Sequence, residues 1–204
     1  MIARRCMMAA TFGILIAPRA PWAQSLSLSQ GEMLRGRFTQ QRFLQGFNAP
    51  LASTGSFILA PNRGLIWRGE TPFALLTGMG PGGLVQRVVG GATTRYPASK
   101  LPLLAQLYEV FSAALEGDWA KLEGIFEVER KGIPTKWQVM LIPRKKDGGM
   151  PLQHVAVHGG RFVNSVEISR VNGDRDTIKF NEQVVSRDPI DSEDGELLGM
   201  VSHP

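Results

Sequence analysis

Apolar and polar residues alternate in short runs along most of the chain, and turn signals separate the runs. The turns carry glycine, proline and asparagine, as at Pro61-Asn62-Arg63-Gly64 and at Asn172-Gly173-Asp174. Alternation with a period of two is typical of strands, and closely spaced turns join consecutive antiparallel strands. A parallel sheet needs a helix between its strands, and the spacing leaves no room for one. The pattern therefore predicts an antiparallel sheet.

One long segment has the period of a helix instead. Residues 99–118 read SKLPLLAQLYEVFSAALEGD and place apolar residues three or four positions apart. Ser99 can cap the start of this helix, and Gly117 can end it. A wide apolar stripe on a helix must be buried, and the natural partner is a face of the sheet. A shorter helix is predicted from near Ser27 to about Arg35, and a brief turn capped by Asp118 is predicted through Leu122.

The predicted fold class is therefore mainly β with helices (α+β). It consists of a single, strongly curved antiparallel sheet with a helix laid across one side.

The stretch GSFILAPNRGLIWRGETPF, residues 55–73, predicts a hairpin with large apolar side chains on both faces. The turn leaves two registers open. A two-residue loop at Asn62-Arg63 places Ile58 beside Trp67, whereas a bulged three-residue loop places Phe57 beside Trp67.

The first 23 residues have the pattern of a secretory signal peptide. Arg4 and Arg5 precede an apolar stretch, Cys6 to Ala17, that is too short to cross a bilayer, and small residues follow. The rest of a twin-arginine motif is missing, so we expect the general export route, with cleavage near Ala23. The predicted organisation is a signal peptide over 1–23, one domain over 24–185, and a polar, disordered tail over 186–204.

Removal of the signal peptide changes the charge and the cysteine count. The whole chain has 23 Lys+Arg and 18 Asp+Glu, and loss of Arg4, Arg5 and Arg19 leaves 20 basic residues against 18 acidic ones. Such a balance gives no electrostatic footprint for nucleic acid. The only cysteine, Cys6, is also removed, so we expect a mature protein without disulfides or thiol chemistry.

Candidate catalytic residues are scarce. His154 and His158 lie four apart beside a glycine pair and have no third ligand nearby, which favours surface histidines over a metal site. No G-x-S-x-G motif is present, and the acidic residues 188–196 do not have the spacing of a calcium loop. We therefore expect a protein that is not an enzyme and that uses no metal or cofactor.

Several short motifs occur in an order that resembles a known family. They are Phe38-Thr39-Gln40-Gln41, Thr54-Gly55-Ser56-Phe57, Pro61, Trp67, Pro72, Gly117-Asp118-Trp119, Phe126, the strand Trp137 to Pro143, and GDRDTIKF at 173–180. From about Arg37 to Glu182 the chain is similar to LolA, the periplasmic carrier of outer-membrane lipoproteins, and more closely to the LolA-like branch of carriers.

The resemblance implies an incomplete β-barrel closed by a helical lid around an apolar cavity for acyl chains. It also implies a monomer in the periplasm that takes cargo from an inner-membrane release complex and delivers it to an outer-membrane acceptor. LolA proper carries a basic residue just before the hairpin proline, which is implicated in holding the lid closed. Ala60 stands at that position here, so the latch is not carried over, and a related lipid or glycolipid is an alternative cargo.

We expect one face of the hairpin and of a later strand to line the cavity. The predicted lining residues are Phe57, Leu59, Leu65, Trp67, Phe73, Leu75, Trp137, Val139 and Leu141, and the predicted lid residues are Leu104, Leu107, Tyr108 and Phe111. Apolar alternation alone does not distinguish a cavity lining from a filled core. A periplasmic interaction or scaffold module with a solid core is therefore the alternative function.

Overall fold

The computed structural model of the chain describes residues 28–88, 90–100, 102–116, 118–144 and 151–203. These residues form one antiparallel sheet of eleven strands. The strands are β1 (Met33–Phe43), β2 (Leu51–Ala60), β3 (Gly64–Thr71), β4 (Leu75–Gly80), β5 (Gly83–Val88), β6 (Thr93–Pro97), β7 (Phe126–Ile133), β8 (Lys136–Pro143), β9 (Leu152–Gly159), β10 (Val163–Arg170) and β11 (Arg175–Ser186). The predicted signal peptide and its cleavage near Ala23 lie outside the described residues.

The sheet consists of two meanders joined at its centre. The spatial order is β6-β5-β4-β3-β2-β1-β11-β10-β9-β8-β7, so the first and last strands of the described residues pair with each other. The edge strands β6 and β7 do not pair, and the sheet is open. Between them runs helix α1 (Pro102–Glu116), which is followed by a short 3₁₀ helix at Trp119–Leu122. The predicted antiparallel sheet and the predicted long helix are both confirmed.

The β2–β3 hairpin has the bulged register of the two that the sequence allowed. Phe57 lies opposite Trp67, and Ala60 lies opposite Gly64 across the three-residue loop 61–63. Asn62 has a φ of 59°, a left-handed conformation that asparagine tolerates better than most residues. This loop therefore decides which hairpin residues share a face.

Successive residues of the hairpin enter two different cores. Phe57, Leu59 and Leu65 belong to a large cluster that includes residues of α1. Ile66 and Ala60 belong to a smaller cluster with the C-terminal helix α2 (Ser192–Val201). We call these two sides of the sheet the α1 face and the α2 face. Both helices lie against β3, β4 and β5, so this part of the molecule has three layers.

Helix α2 corrects the prediction of a polar, disordered tail over 186–204. The Asp191 side chain caps the helix by accepting a hydrogen bond from the backbone NH of Asp194 at 2.7 Å. Leu197, Leu198 and Val201 are fully buried on the α2 face. The acidic residues hide this short apolar stripe in the sequence, although its spacing is helical.

The start of the sheet also differs from the sequence prediction. The described residues from 28 to 35 form a turn and then the beginning of β1, where a helix to about Arg35 was predicted. Met33 packs on the α2 face, whereas its neighbour Leu34 packs on the α1 face. Consecutive side chains on opposite sides require a strand, and pairing with both β2 and β11 provides one.

The predicted turn after Asp118 is present at Trp119–Leu122, but the Asp118 side chain makes no capping hydrogen bond to it. The Asp118 carboxylate lies 3.3 Å from Lys121 Nζ instead. No helix within the described ranges combines the length and the apolar character that crossing a bilayer requires.

Candidate functional site

The α1 face carries an aromatic cluster at the centre of the sheet, where β1, β2, β3 and β11 are neighbours. The rings of Phe38 and Trp67 stack with centroids 3.8 Å apart. Phe180 meets Phe57 edge-on at 5.3 Å and Trp67 edge-on at 6.2 Å. Offset-stacked and edge-to-face contacts are the favourable geometries for aromatic rings. Three consecutive strands and the distant strand β11 thus contribute to one continuous apolar surface.

Glycines opposite the aromatic residues allow their rings to lie flat on the sheet. Phe57 is paired with Gly36, and Phe38 is paired with Gly55. A Cβ atom on Gly36 would lie 2.7 Å from the Phe57 ring, and one on Gly55 would lie 2.8 Å from the Phe38 ring. Each glycine therefore provides the space that the opposing ring occupies.

The same arrangement recurs in the other half of the sheet. Trp137 on β8 is paired with Gly159 on β9, where a Cβ atom would lie 2.2 Å from the Trp137 ring. Trp137 donates a hydrogen bond from Nε1 to the carbonyl of Gly160 at 2.7 Å, which satisfies its one polar group. The Trp119 ring packs edge-on against Trp137 at 5.5 Å. The 3₁₀ helix after α1 is thereby fixed to this half of the face.

Helix α1 covers part of the apolar surface. Tyr108, Ala114 and Leu115 are buried in the same cluster as the sheet residues. Burial raises the pKa of the Tyr108 hydroxyl, against the smaller opposing effect of its hydrogen bond with Ser112. The hydroxyl of Tyr108 therefore stays protonated at neutral pH and adds no charge to the apolar face.

The structure brings most of the predicted lining residues together. Seven of them lie in or against the large cluster on the α1 face: Phe57, Leu59, Leu65, Trp67, Trp137, Val139 and Leu141. All but Trp67 are buried, and Leu59, Leu65 and Leu141 have no exposed surface. Of the predicted lid residues, Tyr108 is buried in this cluster, while the side chains of Leu104, Leu107 and Phe111 lie outside the described residues.

Two predicted lining residues do not join the cluster. Phe73 is 82% exposed, because it lies in the β3–β4 connection beyond the end of the strand. Leu75 pairs with Gly69 and is half-buried at the start of β4, outside both cores. The sequence could not show where β3 ends, and this end decides whether an apolar residue points into the face or past it.

Several residues of the face were not among the predicted lining set. They are Leu34, Phe38, Val155, Val157, Val163, Val166, Ile178 and Phe180. Their alternation along β1, β9 and β11 was the available signal, whereas Val163 and Val166 of β10 lie three positions apart across a register shift. Alternation identifies one face of each strand, but only the pairing of β1 with β11 brings these faces next to the hairpin.

The apolar face ends in a polar group where β1, β10 and β11 meet. Asp176, on the same side of β11 as Ile178 and Phe180, is 1% exposed. Its Oδ1 accepts hydrogen bonds from Arg42 Nε at 2.7 Å and from Gln40 Nε2 at 3.2 Å. Arg170 contacts the second carboxylate oxygen at 2.5 Å. One buried negative charge is thus held by two partly exposed arginines.

The histidines lie away from the apolar face. Val155 and Val157 of β9 point to the α1 face, so His154 and His158 point to the other side. Within the described part of the chain, no group of three potential ligands could hold a metal ion.

A cleft of about 470 Å³ opens at the other end of the sheet, between residues 28–33 and residues 60–63. Its walls include the polar side chains of Ser29, Glu32 and Asn62. Glu32 is already engaged, because its carboxylate accepts from the backbone NH of Ser29 at 2.9 Å. The cleft shares none of the predicted lining residues.

Comparisons with known proteins address the sequence and the fold separately. Residues 22–183 match the family model described as outer membrane lipoprotein carrier protein LolA-like. Curated proteins yield no match to the sequence.

Three solved structures match the chain with TM-scores below 0.5 and at low sequence identity. A LolA superfamily protein from Nitrosomonas europaea has a TM-score of 0.44 and 10% identity, over 79% of this chain and 90% of that chain. An outer membrane lipoprotein-sorting protein domain from Vibrio parahaemolyticus, so described in its name, has a TM-score of 0.39 and 6% identity, over 84% and 93%. A DUF1329 family protein from Desulfovibrio piger has a TM-score of 0.37 and 6% identity, over 79% and 89%.

Proposed function

Because the chain belongs to the LolA-like family of outer membrane lipoprotein carrier proteins, we propose that its α1 face binds the acyl chains of a lipoprotein or a related lipid. In this proposal the protein works in the periplasm as a monomer. It receives its cargo from an inner-membrane release complex and delivers it to an outer-membrane acceptor. The carrier uses no cofactor and catalyses no reaction, so assays with short acyl esters should show no turnover.

The observation that supports this proposal is the continuous aromatic and aliphatic surface of the α1 face. It extends from β3 through the central strands to β8, and Trp67, Phe180 and Trp137 are spread along it. Burial of an acyl chain contributes about 0.8 kcal/mol for each CH₂ group. Several methylene groups on such a surface therefore give useful affinity without any hydrogen bond to the cargo.

Cargo entry requires α1 to separate from the sheet. Leu59 and Leu65 have no exposed surface, and Ala114 of α1 is 3% exposed. A lipid therefore reaches these residues only when packing between helix and sheet opens. The helix connects the two edge strands β6 and β7, which do not pair with each other, so movement of α1 breaks no strand pairing.

Ala60, at the position where LolA proper carries the basic residue of the lid latch, does not face α1 in this protein. Ala60 is 2% exposed on the α2 face, within the cluster that contains Leu197 and Val201. A side chain at this position faces the C-terminal helix and not α1. We therefore propose that apolar packing alone holds α1 on the sheet, which suits a cargo that leaves without an ionic switch.

The tryptophans provide a direct test. Apart from Trp22, which precedes the predicted cleavage site, the chain contains Trp67, Trp119 and Trp137, and all three lie in or against the α1-face cluster. A stearic acid that carries a nitroxide quencher should reduce their fluorescence saturably, whereas a water-soluble nitroxide should not. A variant with Trp119→Phe and Trp137→Phe assigns the quenching to Trp67. Absence of saturable quenching in the wild type would contradict the proposal.

The alternative function is that of a periplasmic scaffold with a solid core, and the near-complete burial of Leu59, Leu65 and Leu141 favours it. Acyl-probe quenching in Ala114→Leu distinguishes the two. The added side chain overpacks the closed interface between α1 and the sheet, so either protein should be destabilised by about 1–3 kcal/mol. A carrier should also lose the saturable quenching that its wild type shows, whereas a scaffold should show no saturable quenching in the wild type or the variant. Ala120→Leu, at an exposed position, is the matched control and should change neither property.

A further inference from the structure

Exposed apolar side chains are concentrated at one end of the sheet. At this end β1, β3, β5 and β10 finish, and the β1–β2, β3–β4, β5–β6 and β10–β11 connections begin. Five of the eight large hydrophobic residues that are exposed in the described part of the chain lie here: Phe47, Leu51, Phe73, Val88 and Val171. We call this end of the sheet, with these five residues, the apolar edge.

The apolar edge is extended and is not a pocket. Its residues belong to connections or strand ends from β5 to β10, which are separated by six strand spacings in the order β5-β4-β3-β2-β1-β11-β10. At 4.7–4.9 Å for each spacing, this is roughly 30 Å along the sheet. The two aromatic residues are largely exposed, with exposed fractions of 82% for Phe73 and 66% for Phe47. Single apolar side chains spread over this distance match a binding partner with a broad surface better than a small-molecule ligand.

Arginines lie at the same end of the sheet as these side chains. Arg42 is next to the last residue of β1, Arg170 ends β10, and Arg175 begins β11. Arg175 is exposed and lies over the ring of Phe43 at 4.5 Å. The edge therefore combines protruding apolar side chains with guanidinium groups.

The acidic groups at this edge are already engaged within the protein. The Asp176 carboxylate is buried between Arg42 and Arg170. Asp174 accepts hydrogen bonds from the backbone NH of Gln45 at 3.0 Å and from the Asn172 side chain at 2.9 Å. The two carboxylates therefore lie among the three arginines named above, and the net charge where β1 and β10 end and β11 begins is positive.

We propose that the apolar edge docks the protein on the surface of a bilayer that contains anionic phospholipid. Phe47 and Phe73 enter the boundary between headgroups and acyl chains, where amphipathic and aromatic groups are favoured. The arginines attract the anionic headgroups, and this attraction weakens as salt increases. A bilayer needs no matched shape, so it accommodates residues scattered over several connections.

This docking surface is distinct from the proposed cargo site. Phe73 points past the end of the α1 face, and none of the five edge residues belongs to the cluster on that face. Docking and cargo binding can therefore be measured separately on the same protein.

Vesicle flotation tests the proposal with the mature protein without cargo. Vesicles of phosphatidylethanolamine with a quarter phosphatidylglycerol should carry the wild type upward at low salt, and the bound fraction should fall at high salt. In a variant with Phe47→Ser and Phe73→Ser, the affinity for these vesicles should fall by about fivefold or more. Both positions are exposed, so the fold should be retained. Ile133→Ser removes an apolar side chain that is 62% exposed at the opposite end of the sheet, and its binding should match the wild type.

Three results would overturn the proposal: no flotation of the wild type, equal flotation of the double variant, or an equal loss with Ile133→Ser. An edge that binds a protein acceptor instead of lipid would also give no flotation of the wild type, because these vesicles contain no protein. Quenching by the acyl probe should be the same in the wild type and the double variant. Flotation without probe quenching would support the docking surface and contradict the cargo site. Probe quenching without flotation would support the cargo site and contradict the docking surface.

Discussion

Arg68 of β3 contacts the buried carboxylate of Asp194 in α2 at 2.8 Å, across the α2 face of the sheet. The Asp194 side chain is 6% exposed, and that of Arg68 is 32% exposed. Arg68 also lies 3.3 Å from Glu193, at the start of the same helix. One arginine on the sheet thus holds the first turn of the C-terminal helix.

Loss of this contact should loosen the helix. In Arg68→Met, Asp194 remains buried without its cationic partner, which should reduce the free energy of unfolding by about 2 kcal/mol. Urea denaturation measures the loss, and hydrogen exchange at the Leu197 and Leu198 amides shows whether it is local to α2. The control is Arg37→Met, which removes a solvent-exposed ion pair with Glu70 and should cost much less. Equal losses in the two variants would contradict the role of Arg68.

Asp194 and Glu70 should affect the pH dependence of stability in opposite directions. Burial raises the pKa of Asp194, and Asp191 and Glu193 add to this, against the opposing effect of Arg68. The folded protein therefore binds this proton more tightly than the unfolded chain, and the carboxyl contributes a loss of stability as pH rises above about 4. Glu70 has a lowered pKa because Arg37 donates a hydrogen bond to it, so its contribution is lost as pH falls through the folded pKa.

Single substitutions separate these two contributions. Between about pH 4 and pH 6, stability should rise more steeply in Asp194→Asn than in the wild type, because the opposing contribution is removed. In Glu70→Gln the loss of stability on acidification below about pH 4 should be slightly smaller than in the wild type. Urea midpoints measured in steps of pH give both slopes. A shallower slope in Asp194→Asn would show that the direction assigned to Asp194 is wrong.

A side chain at Gly36 should disturb the aromatic cluster. The added Cβ atom of Gly36→Ala would lie 2.7 Å from the Phe57 ring, which is 1% exposed and therefore has little room to move. We expect a loss of about 1–3 kcal/mol in the free energy of unfolding and a changed fluorescence of the neighbouring Trp67. Gly124→Ala is the matched control, because nothing lies within 4 Å of its added Cβ. It should stay within about 0.5 kcal/mol of the wild type.

A glycine in α2 offers a stabilising substitution. Gly199 lies within the helix, and nothing is found within 4 Å of a Cβ atom placed on it. Gly199→Ala should raise the free energy of unfolding by about 0.5–1 kcal/mol, because alanine loses less conformational freedom in a helix. Gly64→Ala is the contrasting substitution, since Gly64 has a φ of +147° and an added Cβ would lie 2.6 Å from the Met79 carbonyl oxygen. Thermal unfolding should show an increase for the first variant and a decrease for the second.

The carboxylate of Asp176 should be important for the junction of β1, β10 and β11. In Asp176→Leu, Arg42 and Arg170 lose their shared partner, and we expect a loss of about 2 kcal/mol because both arginines are still partly hydrated. Chemical denaturation measures this loss. Asp174→Leu, two residues earlier in an exposed turn, should cost less. The reverse order would show that the turn, and not the buried charge, fixes this junction.

The sequence determined the local structure of this protein because period and turn chemistry are local properties. Alternation at Phe57, Leu59, Leu65 and Trp67 predicted two faces of a hairpin, and the helical period of residues 99–118 predicted α1. Trp137, Val139 and Leu141 were placed on one face of a strand for the same reason. These residues meet on the α1 face in the structure.

Only the tertiary structure decided what covers each face. Pairing of β1 with β11 adds Phe38 and Phe180 to the aromatic cluster, although about 140 residues separate them in the chain. The α2 face is covered by a helix whose three buried aliphatic residues follow a run of acidic ones, and Arg68 contacts this helix through Asp194. Phe73 has the apolar character of a lining residue, but the end of β3 places it outside. Long-range pairing, the end of a strand and a buried charge pair depend on contacts between distant segments, so hydrophobic periodicity within one segment does not specify them.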